Sequence, residues 1–183
     1  MKFFETSLTG AFVVEPEPFK DDRGFFARVF CKNEFSKIGH TGEFLQINHS
    51  MNEARGTLRG LHYQVPPYAE IKLVRCISGK IFDVIIDIRE DSPTFLNVFS
   101  IELSDENMKM LYIPAGFAHG FQTLSDRTQL IYHHTAFYTP GFEGALNFKD
   151  PALKIDWPLP PINVSEKDKS HPFLKKDFKG IKL

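Results

Sequence analysis

The chain has 183 residues and a formal net charge of -1, and nothing in it approaches the ~18 consecutive apolar residues of a membrane span. That length fits a single domain, 1–183, with a sizeable core. The balanced charge argues against a nucleic-acid binder. Two cysteines, Cys31 and Cys76, do not make a disulfide framework. The start, Met1-Lys2-Phe3-Phe4-Glu5-Thr6, carries no apolar leader core, so the expected setting is cytoplasmic.

In chain order, the pattern predicts strands near 11–15, 25–30, 44–50, 57–64 and 70–77. The clearest follows at 80–89. Phe82, Val84, Ile86 and Ile88 fall on one face, while Asp83 and Asp87 share the other with Ile81 and Ile85. Further strands are predicted near 95–103, 109–113, 117–124 and 128–138. Breakers separate them, among them Asp21-Asp22-Arg23-Gly24, Ser78-Gly79, Ser92-Pro93 and Pro114-Ala115-Gly116. About ten short strands at this spacing imply an all-β sandwich or barrel. Nineteen phenylalanines beside twelve glycines and twelve prolines agree with a β-rich chain of many turns. One short helix is predicted from Asn33 to His40, with Asn33 as N-cap. The tail 150–183 is expected to wrap the surface, with a helical turn after Ser165.

Strand parity sorts the polar residues. Gln46, Asn48 and Ser50 share a face, as do His62 and Gln64 with Leu58 and Gly60. Lys72 goes with Val74 and Cys76, His119 with Phe117 and Phe121, and Tyr132 with Leu130 and His134. If these faces line the interior, then Gln46, Asn48, His62, Lys72, His119 and Tyr132 converge. Arg59 has the opposite parity to His62, and a bulge at Gly60 would bring both to one mouth. A lone histidine or tyrosine in a strand is usually a half-exposed pairing residue, and a strand lysine usually an edge residue. The shared parity of six such residues weighs against that reading for the set.

His62-x-Gln64 with Glu70 and Gly79 downstream, and Pro114-x-Gly116-x-x-His119, resemble the two cupin motifs. The resemblance implies a cupin-like double-sheet jelly-roll barrel with a few short helices. A metal-dependent cupin would want a histidine where Gln64 stands, because an amide substitutes poorly for imidazole at a divalent ion. No metal and no cofactor is therefore expected. The collected groups suit proton transfer at carbon: an imidazole base, a lysine beside a developing enolate, a phenol acid on the opposite wall.

A wider set of segments resembles the dTDP-4-dehydrorhamnose 3,5-epimerase family, the metal-free cupins of deoxysugar biosynthesis. They include Asp22-Arg23-Gly24-Phe25-Phe26, Gln46-Ile47-Asn48, Thr57 to Gln64, Lys72-Leu73-Val74, Ile113 to Phe121, Tyr132, Tyr138, Asp156-Trp157-Pro158 and Ser165-Glu166-Lys167-Asp168. The resemblance implies His62 as general base with Asp168 as its carboxylate partner, Tyr132 as general acid, and Lys72 as enolate stabiliser. It implies that Arg23, Gln46, Ile47, Asn48, Arg59, His119, Glu143 and Lys167 bind a dTDP-4-keto-6-deoxy sugar nucleotide, and that Tyr138 stacks on the base. Guanidinium suits pyrophosphate and an aromatic ring suits a nucleobase. It also implies a homodimer in which an N-terminal strand crosses over, so that Arg23 serves the partner's site. One departure is Arg28, where better-known members carry glutamate. The implied activity is inversion at C3 and C5 of the 4-keto sugar. The alternatives are a 3-epimerase or related isomerase on another dTDP sugar, a metal-dependent cupin, or a non-catalytic sugar-nucleotide binding module.

Overall fold

The computed structural model describes every residue, Met1–Leu183. Two antiparallel sheets face each other. The six-stranded sheet runs β1 (Lys2–Glu5), β2 (Phe12–Glu15), β10 (Met110–Ile113), β7 (Lys72–Ser78), β12 (Thr128–His134), β5 (Gln46–Asn52). The five-stranded sheet runs β13 (Glu143–Ala145), β6 (Leu58–Gln64), β11 (Phe117–Thr123), β8 (Lys80–Asp87), β9 (Val98–Ser104). A separate hairpin joins β3 (Phe19–Asp21) to β4 (Gly24–Phe26). This is the all-β, cupin-like double-sheet barrel.

The alternation in the strands explains the layers. Val13, Val74, Leu111 and Leu130 from the first sheet meet Ile81, Ile85, Leu103, Phe117 and Phe121 from the second. The opposite face of the second sheet, with Leu61, Val84, Ile86 and Ala118, would be wet in a bare sandwich. Here Leu153, Trp157, Leu174, Phe178 and Ile181 of the tail cover it. That is why β8 is apolar on both faces. Backbone bridges from Thr57 to Ile162 and from Arg89 to Ile181 stitch the tail down. Across the molecule, Phe35, Phe30 and Phe44 cover Leu73, Met110 and Tyr112 on the outside of the first sheet.

The sequence reading and the structure part in several places. The strand expected over 25–30 ends at Phe26, because Val29 and Phe30 turn in to join the aromatic cover. Asn33 is not the cap of the first helix, α1 (Lys32–Phe35). The cap is Cys31, in extended conformation and without a side-chain hydrogen bond, whose carbonyl accepts from Glu34 and Phe35. The helix is short and held by burial of Phe35 rather than by its cap. A 3-10 turn, Ser36–Ile38, follows it. β1, β3 and β13 are four or three residues long, too short to show a period. No helix is long and apolar enough to cross a membrane.

Candidate active site

The interior stops being apolar at one end of the sandwich. There a cavity of about 680 Å³ opens, lined by Asn48, Arg59, His62, Lys72, His119, Tyr132, Tyr138, Glu143, Lys167 and Asp168 among others. Ten of the thirteen residues singled out above therefore share one wall system. Three do not line it. Gln46 stands behind Asn48, donating from its amide nitrogen to the Asn48 amide oxygen at 3.1 Å. Ile47 points outward on the free edge strand β5, 62% exposed. Arg23 sits in the hairpin and pairs only with Asp21. Arg28 pairs with Glu34 at 2.8 Å and does not line the cavity.

Pairing between β6 and β11 builds the centre. His62 lies opposite His119, but Arg59 lies opposite Phe121, so two residues of β6 face one of β11. This is the bulge at Gly60, and it swings Arg59 and His62 to the same cavity. Only glycine fits: Gly60 has φ +126°, and a Cβ there would come within 2.5 Å of the Gly120 Cα. Arg59 is held by its Nε–H donating to the Asn52 amide oxygen at 2.7 Å.

Asp168 arrives from the short helix α2 (Glu166–Ser170). Ser165 is its N-cap, accepting from the Asp168 N–H at 3.0 Å. The Asp168 carboxylate then accepts from His62 Nε2 at 2.7 Å and from the Gly60 N–H at 3.4 Å. Burial alone would raise the Asp168 pKa. The hydrogen bonds and charge of His62 outweigh it and hold the carboxyl below its ordinary value. Since Nε2 carries the hydrogen given to the carboxylate, the free lone pair of His62 is on Nδ1. Such an imidazole is a base whose conjugate acid is already paired.

Opposite stand the other groups. The Tyr132 hydroxyl lies 3.2 Å from Ser50 Oγ. Burial pushes its pKa well above the ordinary tyrosine value despite that bond, so the phenol keeps its proton and can give it. Lys72 is buried, donates to the His62 carbonyl at 3.3 Å and pairs with Glu70 at 3.3 Å. His119 Nε2 lies 2.8 Å from Asp83 Oδ1, a second buried imidazole–carboxylate pair. At the mouth, Lys167 pairs with Glu143 at 2.6 Å and lowers its pKa, while Glu143 in turn raises that of exposed Tyr138.

The sequence reading did not assign the partners Asp83, Glu70 and His134 within this site. Asp83 showed itself as a carboxylate sharing a strand face with Asp87, Ile81 and Ile85 and as part of the family-like segment Asp83-Val84, and His134 as a residue sharing parity with Tyr132. Gln64, the residue that stands where a metal-dependent cupin wants histidine, is consumed elsewhere. Its amide donates to the carbonyls of Tyr68 and Phe137 and accepts from the Thr139 N–H. The side chains best placed to hold a metal are instead His62, Asp168 and His171, with donor atoms within 4.8 Å of one another.

A two-sheet cupin-like barrel with a carboxylate-paired histidine, a buried phenol and a buried lysine around one cavity holds the groups an acid–base isomerase needs. The family described as dTDP-4-dehydrorhamnose 3,5-epimerase matches residues 5–176. The chain belongs to that family. A dTDP-4-dehydrorhamnose 3,5-epimerase of Shigella flexneri is 43% identical over 169 residues, 92% of this chain and 93% of the relative. A solved dTDP-4-dehydrorhamnose 3,5-epimerase from Bacillus anthracis, with TDP and pyrophosphate bound, superposes with a TM-score of 0.91 at 40% identity, covering 94% of this chain and 99% of that one. The dTDP-6-deoxy-D-glucose 3,5-epimerase of Legionella pneumophila, in complex with dTDP-4-keto-L-rhamnose, gives 0.89 at 38% identity, covering 94% and 92%.

Proposed function

We propose that this chain inverts C3 and C5 of dTDP-4-dehydro-6-deoxyglucose, a cytoplasmic step of dTDP-L-rhamnose-type deoxysugar synthesis, without a cofactor. The observation that carries the proposal is the 2.7 Å pair of His62 with Asp168 across one cavity from Tyr132 and beside Lys72. His62 Nδ1 removes the proton next to the ketone, and Asp168 stabilises the imidazolium that forms. The electron pair moves onto the C4 oxygen, where the Lys72 ammonium meets the enolate charge. Tyr132 returns a proton from the opposite wall, which inverts the carbon. The substrate's own ketone is the electron sink, so the chemistry itself calls for no redox group.

Arg59 holds pyrophosphate, His119 and Asn48 contact the sugar, and Tyr138 stacks on thymine with Glu143 and Lys167 at its rim. The chain 1–183 works as one domain. It pairs as a homodimer through two exposed apolar stretches, the β5 edge with Ile47 and Met51 and the hairpin with Phe19, Phe25 and Phe26. In that pair, Arg23 and the backbone around Ile47 serve the neighbouring cavity, which explains why neither side chain reaches its own.

The test is isotopic. Incubation with dTDP-4-dehydro-6-deoxyglucose in deuterated water puts label at C3 and C5 of an inverted product, and His62→Asn removes it. Labelling that persists in His62→Asn takes the base role away from His62, and no labelling by the wild type defeats the proposal.

A further inference from the structure

We propose that Glu70 and His134 are positioning residues that join the cation at the chemical end of the cavity to the loop carrying Tyr138, through one hydrogen-bond chain of fixed polarity. The inference rests on the sugar-nucleotide reading above.

The chain has five links. Lys72 Nζ lies 3.3 Å from Glu70 Oε1, and Glu70 Oε2 lies 2.9 Å from His134 Nδ1. His134 Nε2 lies 3.4 Å from the Asn48 amide nitrogen. The Asn48 amide oxygen accepts from Gln46 at 3.1 Å. The Gln46 amide oxygen accepts from the Tyr138 backbone N–H at 3.0 Å. Each link is ordinary alone, but the ends decide the direction of all of them. A backbone N–H can only donate, so Gln46 must turn its oxygen to Tyr138 and its nitrogen to Asn48. Asn48 must then present its nitrogen to His134, whose Nε2 must accept. That leaves the hydrogen on Nδ1, facing a carboxylate that can only accept. The polarity deduced from the loop end is the one the Glu70 end requires.

The consequence is a division of labour inside one imidazole. Nδ1 holds Glu70, and Glu70 orients the Lys72 ammonium toward the site of enolate charge. Nε2 holds Asn48 and, through Gln46, the loop on which the base-stacking ring sits. Neither Glu70 nor His134 needs to touch the reacting carbons.

Two substitutions cut the imidazole in half. His134→Asn keeps an amide N–H at the Nδ1 position and loses Nε2. His134→Gln keeps an amide oxygen near the Nε2 position and loses the donor to Glu70. His134→Asn is expected to weaken dTDP binding, measured by calorimetry, about fivefold, more than it lowers kcat. His134→Gln is expected to lower kcat about tenfold, more than it weakens dTDP binding, the sizes expected for one neutral and one charged hydrogen bond. A purely structural role would move both parameters together. Should either variant melt early, Glu70→Gln reports on the chemical end alone: kcat falls about tenfold while dTDP affinity holds. Equal losses of both parameters, or no loss in any variant, overturn the inference. A wild type that fails to turn over overturns the sugar-nucleotide reading and the inference with it, whereas an active wild type whose variants do not split overturns the inference alone.

Discussion

Replacing Asp168 by Asn changes the paired charge at the centre while keeping the side chain's size. Asp168 is 4% exposed and accepts from both His62 and the Gly60 N–H, so an amide there still fills the space between α2 and β6. What disappears is the negative charge that, in the proposed mechanism, the imidazolium needs at the moment the proton leaves carbon. A hydrogen bond between charged partners contributes about 1.5–3 kcal/mol. The His62 side chain is 47% exposed, so solvent screens the pair and the top of that range is discounted. About 1.5–2.5 kcal/mol remains, which lowers kcat roughly 10- to 70-fold at 1.36 kcal/mol per decade. The loss falls on kcat rather than KM, because the charge exists only after proton abstraction. The assay is NMR-monitored conversion of dTDP-4-dehydro-6-deoxyglucose at saturating substrate, with circular dichroism to establish the fold. An Asp168→Asn enzyme with wild-type kcat, or one whose entire loss is in KM, refutes the pairing as a catalytic device.

Tyr132→Phe removes the acid and its bond to Ser50. Deuterium uptake at one centre survives while inversion at C5 is impaired, and an equal loss at both centres contradicts the separate acid. Gly60→Ala forces a Cβ into Gly120 and the His119 carbonyl at positive φ. Backbone strain plus overpacking costs about 3–5 kcal/mol, a fall of roughly 10 °C in Tm, and an unchanged melt contradicts the bulge geometry. Burial raises the pKa values of Tyr63 and Tyr132 and pushes that of Tyr112 up to about 12. Above pH ~10 the unfolded chain releases phenolic protons that the folded chain retains, so stability declines as pH rises through that range. Melts that stay constant from pH 9 to beyond ~11 would show these phenols to be wet. Sedimentation should give a two-chain mass. Mixing the impaired Arg23→Ala and Asp168→Asn protomers should raise activity above that of either variant alone, since one of the two hybrid sites is intact; a single-chain mass or no gain on mixing rules out the shared site.

Much of this site was legible because a strand carries its own ruler. Parity placed Asn48, His62, Lys72, His119 and Tyr132 on inward faces without any knowledge of which strands are neighbours. The bulge was legible too, since Arg59 and His62 have opposite parity and a glycine lies between them. Pairings across the sheet were not. Whether His119 meets Asp83 depends on β8 and β11 being adjacent in a particular register, and a single sequence does not carry register. Parity failed for Gln46, which shares a face with Asn48 yet only backs it, whereas Ile47, of opposite parity, faces outward as alternation requires and entered the binding set through the family resemblance alone. The short elements were opaque for a different reason. Three-residue strands such as β13 form because a partner strand offers its edge, and α1 forms because Phe35 has somewhere to go.

The same distinction bears on how the barrel came to hold a reactive interior. Each inward polar group occupies a position where an apolar side chain would have packed, and burying it without partners would cost several kcal/mol. The structure supplies a partner in every case: Asp168 for His62, Asp83 for His119, Glu70 for Lys72 and His134, Ser50 for Tyr132. Three of these partners are carboxylates, and each carboxylate faces a group able to carry positive charge. The cavity thus holds its polar groups oriented by partners before substrate enters, and in the proposed mechanism these are a base, an acid and a cation. Under the proposed mechanism the Lys72 ammonium meets charge that exists in the enolate and not in the ketone, which is the requirement for lowering the barrier rather than merely binding the sugar.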